Sequence, residues 1–194
     1  MGLLDALFGR TRLAKSKPEG LFALVTAQVS LESELGWVSA QRAGLCVKPV
    51  TSGEYAAAEE ELRELVAAAA ADFGSDLRVE TDSFHFRWLV LHDRELEDLV
   101  NLIHIAGQTL AEKGYGDQLL SALFRFHRTR QEDSPGYWVY HYKRGRFYPF
   151  VPRPGPVAKA RDNGAELRAA AVMRREMPIE PDQSRWFAVW DSPV

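Results

Sequence analysis

The residues from Ala122 to Val151 set the tightest limit on what this chain can fold into. Three apolar, aromatic-rich runs follow one another there: Ala122–Arg128, Tyr137–Lys143 and Arg146–Val151. Ser134-Pro135-Gly136 turns the first pair and Arg144-Gly145 the second. Proline presets φ and glycine admits positive φ, so both segments have the chemistry of turns. Strands joined by turns this short run antiparallel, because a parallel pair needs a crossover of about a dozen residues or more. Upstream, Leu77–Thr81 and Phe84–His92 form a second pair about Asp82-Ser83. Phe84, Phe86, Trp88 and Val90 alternate there with His85 and Arg87, the pattern of a half-buried strand. A shorter strand, Ala43–Val50, ends at Pro49 and Ser52-Gly53.

Helices separate these strands. Residues 54–73 are alanine-rich, with Leu62, Leu65, Val66 and Phe73 as the expected apolar face and Gly74 at the C-cap. Asp93 caps a second helix to about Lys113, with Leu96, Leu99, Val100, Ile103, Gly107 and Leu110 facing the core. Ala165–Arg175 reads as a last helix, and residues 21–35 as a weakly periodic one. The expected fold is α+β: a mainly antiparallel sheet packed with three or four helices, plus a short N-terminal amphipathic helix. Residues 1–17 form the basic amphipathic segment, 18–176 a single domain, and 177–194 a tail packed on it.

Composition excludes several classes. With 194 residues, 46% hydrophobic and 26% charged, the chain is an ordinary globular one rather than a disordered, collagenous or coiled-coil one. No apolar run approaches the roughly 20 residues that span a bilayer. The single cysteine, Cys46, rules out an internal disulfide framework and a multi-cysteine metal site. No signal peptide is legible, so the expected compartment is a reducing cytoplasm. The net charge of −3 hides a dipole. Residues 50–80 are acidic and 121–161 basic.

The opening MGLLDALFGR carries Leu3, Leu4, Leu7 and Phe8 on one helical stripe, beside Arg10, Arg12, Lys15 and Lys17. Each base gains about 1 kcal/mol near an anionic leaflet. The apolar side chains add up to about 1.5–3 kcal/mol each, against an ordering cost of about 8–16 kcal/mol for eight residues. These sums nearly cancel, so the segment suits weak, reversible contact at the inner face of a membrane. The same stripe would equally dock on the chain's own domain or on a partner. Ala6 breaks the myristoylation pattern.

Enzymatic signatures are weak. His85, His127 and His141 lie on expected strands but share no metal-ligand spacing, and a metal-dependent hydrolase is the minor reading. Cys46 sits between Leu45 and Val47, where a buried, inert thiol is expected. Gly114-Tyr115-Gly116 follows a helix and meets Leu119 where a third glycine belongs, so it is no dinucleotide fingerprint. Glu59, Glu60, Glu61 and Glu64 read as a solvated helix face. Tyr142, Lys143, Arg144, Arg146 and Tyr148 form an expected basic–aromatic surface. Such interleaving suits single-stranded nucleic acid, but Pro149 and strand packing argue against an RNA-binding motif.

Several segments together resemble one known family. They are Met1–Arg10, Arg42-Ala43-Gly44-Leu45-Cys46-Val47-Lys48-Pro49-Val50, Glu97-Asp98-Leu99-Val100, Tyr140–Phe150, and Glu180-Pro181-Asp182 with Arg185-Trp186-Phe187. The chain resembles the PspA-associated proteins of PspAB type across nearly its whole length. The resemblance implies a role with phage-shock protein A, a helical peripheral protein of bacterial envelope stress. It implies no enzymatic activity and no cofactor. The expected function is a non-enzymatic adaptor whose α+β body binds a PspA-like partner, with residues 2–8 touching the membrane or that partner. The alternative is a module that holds a client peptide, since the element order also resembles secretion-chaperone-like domains.

Overall fold

The computed structural model describes residues 18–50, 53–129, 135–153 and 159–194. The expected N-terminal helix, with Leu3, Leu4, Leu7, Phe8, Arg10, Arg12 and Lys15, lies outside the described residues, as do Pro154, Gly155 and Pro156 of the linker.

The described chain opens with short helical turns: a 3-10 turn Pro18–Phe22, α1 (Ala23–Thr26), α2 (Gln28–Ser30) and a π turn Leu31–Leu35. Leu21, Leu24, Ala27 and Leu31 recur at helical spacing and are fully buried. Gly36, at φ 68°, reverses the chain into β1 (Trp37–Val47). This strand starts six residues earlier than the sequence suggests. Gln41 takes φ 59°, and the pairing shifts register between Ser39 and Arg42. A bulge therefore lets the strand run through a polar stretch that looks like a loop. Lys48-Pro49 then ends it.

Helix α3 (Gly53–Phe73), β2 (Asp76–Thr81), β3 (Arg87–His92), α4 (Leu96–Glu112), β4 (Leu119–Arg128), β5 (Gly136–His141), β6 (Arg146–Phe150) and α5 (Asn163–Met173) follow. The strands form one six-stranded sheet, ordered β2-β3-β1-β4-β5-β6, with every neighbouring pair antiparallel. The architecture is α+β.

Helix α4 packs on β1 and α3 against one face of the sheet. Its buried stripe is the expected one, with Leu102 and Ala106 added. Asp93 accepts from the Glu95 N–H at 2.8 Å and from the Ser75 hydroxyl, fixing the entry to the helix. A Cβ on Gly107 would lie 2.9 Å from the Tyr142 hydroxyl, so glycine lets α4 lie directly on that ring. Helix α3 departs from expectation. Ala58, Leu62, Val66 and Ala70 are buried at i, i+4 spacing, while Leu65 and Phe73 are exposed. The small alanines face the protein and let the helix sit close.

The second face is also covered. Trp88, Leu89, Val90 and Leu91 are all buried, so β3 is enclosed on both sides rather than half-buried. The cover is the segment 186–194. Val194 packs on Gly44 beside Trp88, Trp190 meets Phe150 edge-on at 4.9 Å, and Trp186 stacks on Tyr148 at 6.4 Å. Among the described residues, no helix is long and apolar enough to cross a membrane.

Candidate functional site: an apolar groove under the 186–192 segment

Cross-strand register places Trp88, Cys46, Ser121 and His141 in one row across β3, β1, β4 and β5. Residues directly opposite in antiparallel strands share a face. That row, with Tyr148, floors a groove of about 510 Å³. Phe187 to Ser192 form its roof, and Phe84 and Phe86 form one wall. The lining is mostly apolar and aromatic, the usual chemistry of a recognition cleft. Two rim residues stand out in water: Phe84 is 67% exposed and Phe187 54%. Large aromatics held open beside a groove are typical of surfaces that receive a partner.

The wall exists because of Asp82. Its carboxylate accepts from the Phe84 and Phe86 N–H groups, each at 2.9 Å, and from the Trp88 indole N–H at 2.9 Å. His85, at φ 65°, completes the tight loop, and its N–H donates to the Asp82 carbonyl. The expected strand from Phe84 is therefore a turn as far as Phe86. The local alternation is real but serves the loop.

Lys159 pairs with Asp191 in the roof at 2.9 Å, and two further ion pairs, each with a buried carboxylate, fasten the chain leading into it. Arg161 grips buried Glu166 through Nε and Nη2, each at 3.0 Å, and donates through Nη1 to the Trp186 carbonyl at 2.6 Å. Glu166 also accepts from the Val151 N–H at 2.8 Å. Arg144 pairs with Glu180 at 2.9 Å, and Glu180 in turn accepts from the Asp182 N–H. Arg146 donates to the Ile179 carbonyl at 3.2 Å. The Trp186 indole donates to the Glu180 carbonyl at 3.0 Å.

These contacts correct the expected basic–aromatic surface. Tyr142 and Tyr148 are buried, Tyr142 against Gly107 and Tyr148 under Trp186. Arg144 and Arg146 clamp the segment 179–180. Strand packing claims the rings, and the guanidinium groups find partners more than thirty residues away. Lys143 stands at the hairpin turn, partly exposed.

Burial costs the Glu180 carboxylate solvation, but the Arg144 and Asp182 hydrogen bonds outweigh this and hold its pKa below the ordinary value. A carboxylate with a lowered folded-state pKa stabilises the fold above its unfolded value, near 4.3, and loses that contribution as pH falls through the lower one. Urea midpoints measured from pH 6 to pH 3 should show the gap between the natural protein and Glu180→Gln closing as the pH falls. A constant gap would remove Glu180 from the roof's fastening.

Cys46 is buried, and burial with the nearby Asp82 charge pushes its thiol up to about 12. It is a floor residue, not a nucleophile at neutral pH. His141 is held below its ordinary pKa by burial and by the Arg144, Lys143 and Arg185 charges, against the opposing pull of Glu180. Its imidazole is therefore neutral at pH 7, and its Nδ1 is buried without a hydrogen-bond partner. His127 and His141 do not converge. His127 lies six residues along β4 from Ser121, the partner of His141, a separation of about 20 Å. Among the described residues, no group of three or more His, Cys, Asp or Glu could hold a metal ion. Three of the α3 carboxylates are engaged: Glu59 with Arg87, Glu60 with Arg63 and Glu61 with Lys113.

Sequence reasoning missed the groove. Its signal was the apolar Phe187-Ala188-Val189-Trp190 run so close to the exposed Phe84 loop in space, and spacing along the chain gives no hint of that.

No curated protein matches the sequence. The sequence model of the family PspA associated protein B, PspAB, matches residues 1–194. The chain belongs to the PspA associated protein B family.

Proposed function

We propose that this protein is a non-enzymatic adaptor that binds a PspA-type protein through the groove beneath the 186–192 segment. The observation that carries the reading is the groove itself: an apolar floor, a fastened roof and two exposed phenylalanines at the mouth. A helical partner offers its apolar side chains at i, i+3 and i+4, and an apolar groove takes such anchors. His141 and Ser121 put polar side chains in the floor of a mostly apolar site. Specificity often comes from one polar group of this kind.

Residues 1–17 add a second contact. Leu3, Leu4, Leu7 and Phe8 with Arg10, Arg12 and Lys15 suit a weak hold on an anionic leaflet, where PspA itself works. Two weak contacts on one chain raise the apparent affinity without any new interface. The envelope-stress role and a cytoplasmic position at the inner membrane face belong to this proposal.

The groove also favours a second reading, a module that holds apolar client segments. The two differ in selectivity. An adaptor titrates with PspA and ignores reduced, unfolded model clients, and a client holder binds both.

Co-sedimentation with liposomes containing anionic lipid tests the membrane part. Full-length protein should pellet more than a deletion of residues 2–9, and pelleting of both should rise when PspA coats the vesicles. Equal pelleting of the two forms without PspA would remove the membrane contact. No rise with PspA would remove the adaptor.

A further inference from the structure

The two edges of the sheet are treated differently. At the β6 edge the Phe147 N–H donates to the Pro178 carbonyl, the Glu180 N–H donates to the Phe147 carbonyl, and Pro149 has no N–H to offer. At the other edge, β2 pairs with β3 on one side. Among the described residues, no backbone hydrogen bond between elements reaches its outer side. An open edge is normally blunted by proline, a bulge or charged side chains, lysine above all. Strand β2, Asp76-Leu77-Arg78-Val79-Glu80-Thr81, has no proline or lysine and an uninterrupted register with β3, and its three charges alternate in sign, so they repel a random edge but can match a copy of their own. Val79, at its centre, is 38% exposed.

The charges along β2 are self-complementary. Asp76, Arg78 and Glu80 share one face, and Leu77, Val79 and Thr81 the other. We propose that β2 is the docking edge for a second copy of this chain, paired antiparallel about a two-fold axis through Val79. A two-fold axis normal to the sheet keeps like faces together, so the pairing joins two six-stranded sheets into one continuous sheet. Centring on Val79 sets Arg78 of each copy opposite Glu80 of the other, twice, and Leu77 opposite Thr81; Asp76 then falls against Asp82, one residue past the strand, whose carboxylate is taken up by the Phe84 and Phe86 N–H groups and the Trp88 indole. Centring on Arg78 or on Glu80 puts like charges on the axis. Centring on Leu77 drives Glu80 against Gly74, where the chain has turned back into α3. Opposite charges across a strand pair favour one register and like charges oppose the others. The dimer stands independently of the adaptor reading. It would give each assembly two grooves.

The test uses the full chain. Cys46 is the chain's one cysteine and is buried, so Val79→Cys adds a single reactive thiol. On the two-fold axis the two Cα atoms would lie about 4.5–5.5 Å apart, inside disulfide reach. Mild oxidation should yield covalent dimer at least about tenfold faster than the exposed control Arg94→Cys. Sedimentation equilibrium of the natural protein should show a monomer–dimer equilibrium. Arg78→Glu and Glu80→Arg should each weaken it at least about tenfold, because each reverses two pairs. The double variant R78E/E80R should recover to within about threefold. Cross-linking at the control rate, a monomer at every concentration, or a double variant no tighter than the singles would each overturn the proposal.

Discussion

Replacing Glu166 with alanine is expected to lower the unfolding free energy by about 3 kcal/mol, the low end for removing one partner of a buried ion pair. Glu166 is buried, and its side chain takes three hydrogen bonds: two from Arg161 and one from the Val151 N–H. Alanine would leave the guanidinium without its carboxylate and the buried Val151 N–H without an acceptor. Arg161 keeps 22% of its side-chain exposure, which moderates the cost. The effect reaches the groove, because the same Arg161 holds the Trp186 carbonyl at the start of the roof. Glu166→Ala should therefore lose partner binding at temperatures where the sheet is still folded. Urea unfolding at pH 7, followed by tryptophan fluorescence, measures the first effect. A loss under about 1 kcal/mol would show that water replaces the carboxylate without penalty.

The second large effect concerns binding alone. Ser121 sits on β4 in the groove floor, opposite Cys46 on one side and His141 on the other. Tryptophan there would fill the cavity without entering the helix-packed face. Ser121→Trp should weaken the PspA interaction at least about 30-fold, the ~2 kcal/mol of a hot-spot loss. Its stability should change by less than about 1 kcal/mol, as for a substitution at a partly exposed site. Titration calorimetry against PspA, beside a urea curve for each protein, separates the two. Unchanged affinity would place the partner elsewhere.

Local chemistry made much of the fold legible. The hairpins between Ala122 and Val151 were readable because their turns carry proline and glycine, and α4 because its apolar residues keep helical spacing over its whole length. The failures have physical causes. Strand β1 begins at Trp37 because a bulge at Gln41 carries it through polar residues. The Phe84 alternation continues past the real strand because Asp82 gathers those N–H groups into a loop. In α3 the alanines, not Leu65 and Phe73, meet the protein, since close approach rewards small side chains there.

The groove was illegible for a different reason. Its floor comes from five strands and its roof from residues 187–192, about a hundred positions after the Phe84 wall. No periodicity links such segments. Arg144 and Arg146 likewise looked like a free basic patch, because Glu180 and Ile179 lie 36 and 33 residues away. The family, by contrast, was readable from scattered segments alone, because a family is carried by the whole pattern and a site by a few distant contacts.

Hydrogen exchange of the full chain, with and without saturating PspA, tests the central claim most directly. The account predicts slowed exchange at residues 84–88, 120–122 and 187–192, with the β6 edge unchanged. Protection confined to other segments, with these three exchanging as in the free protein, would contradict it.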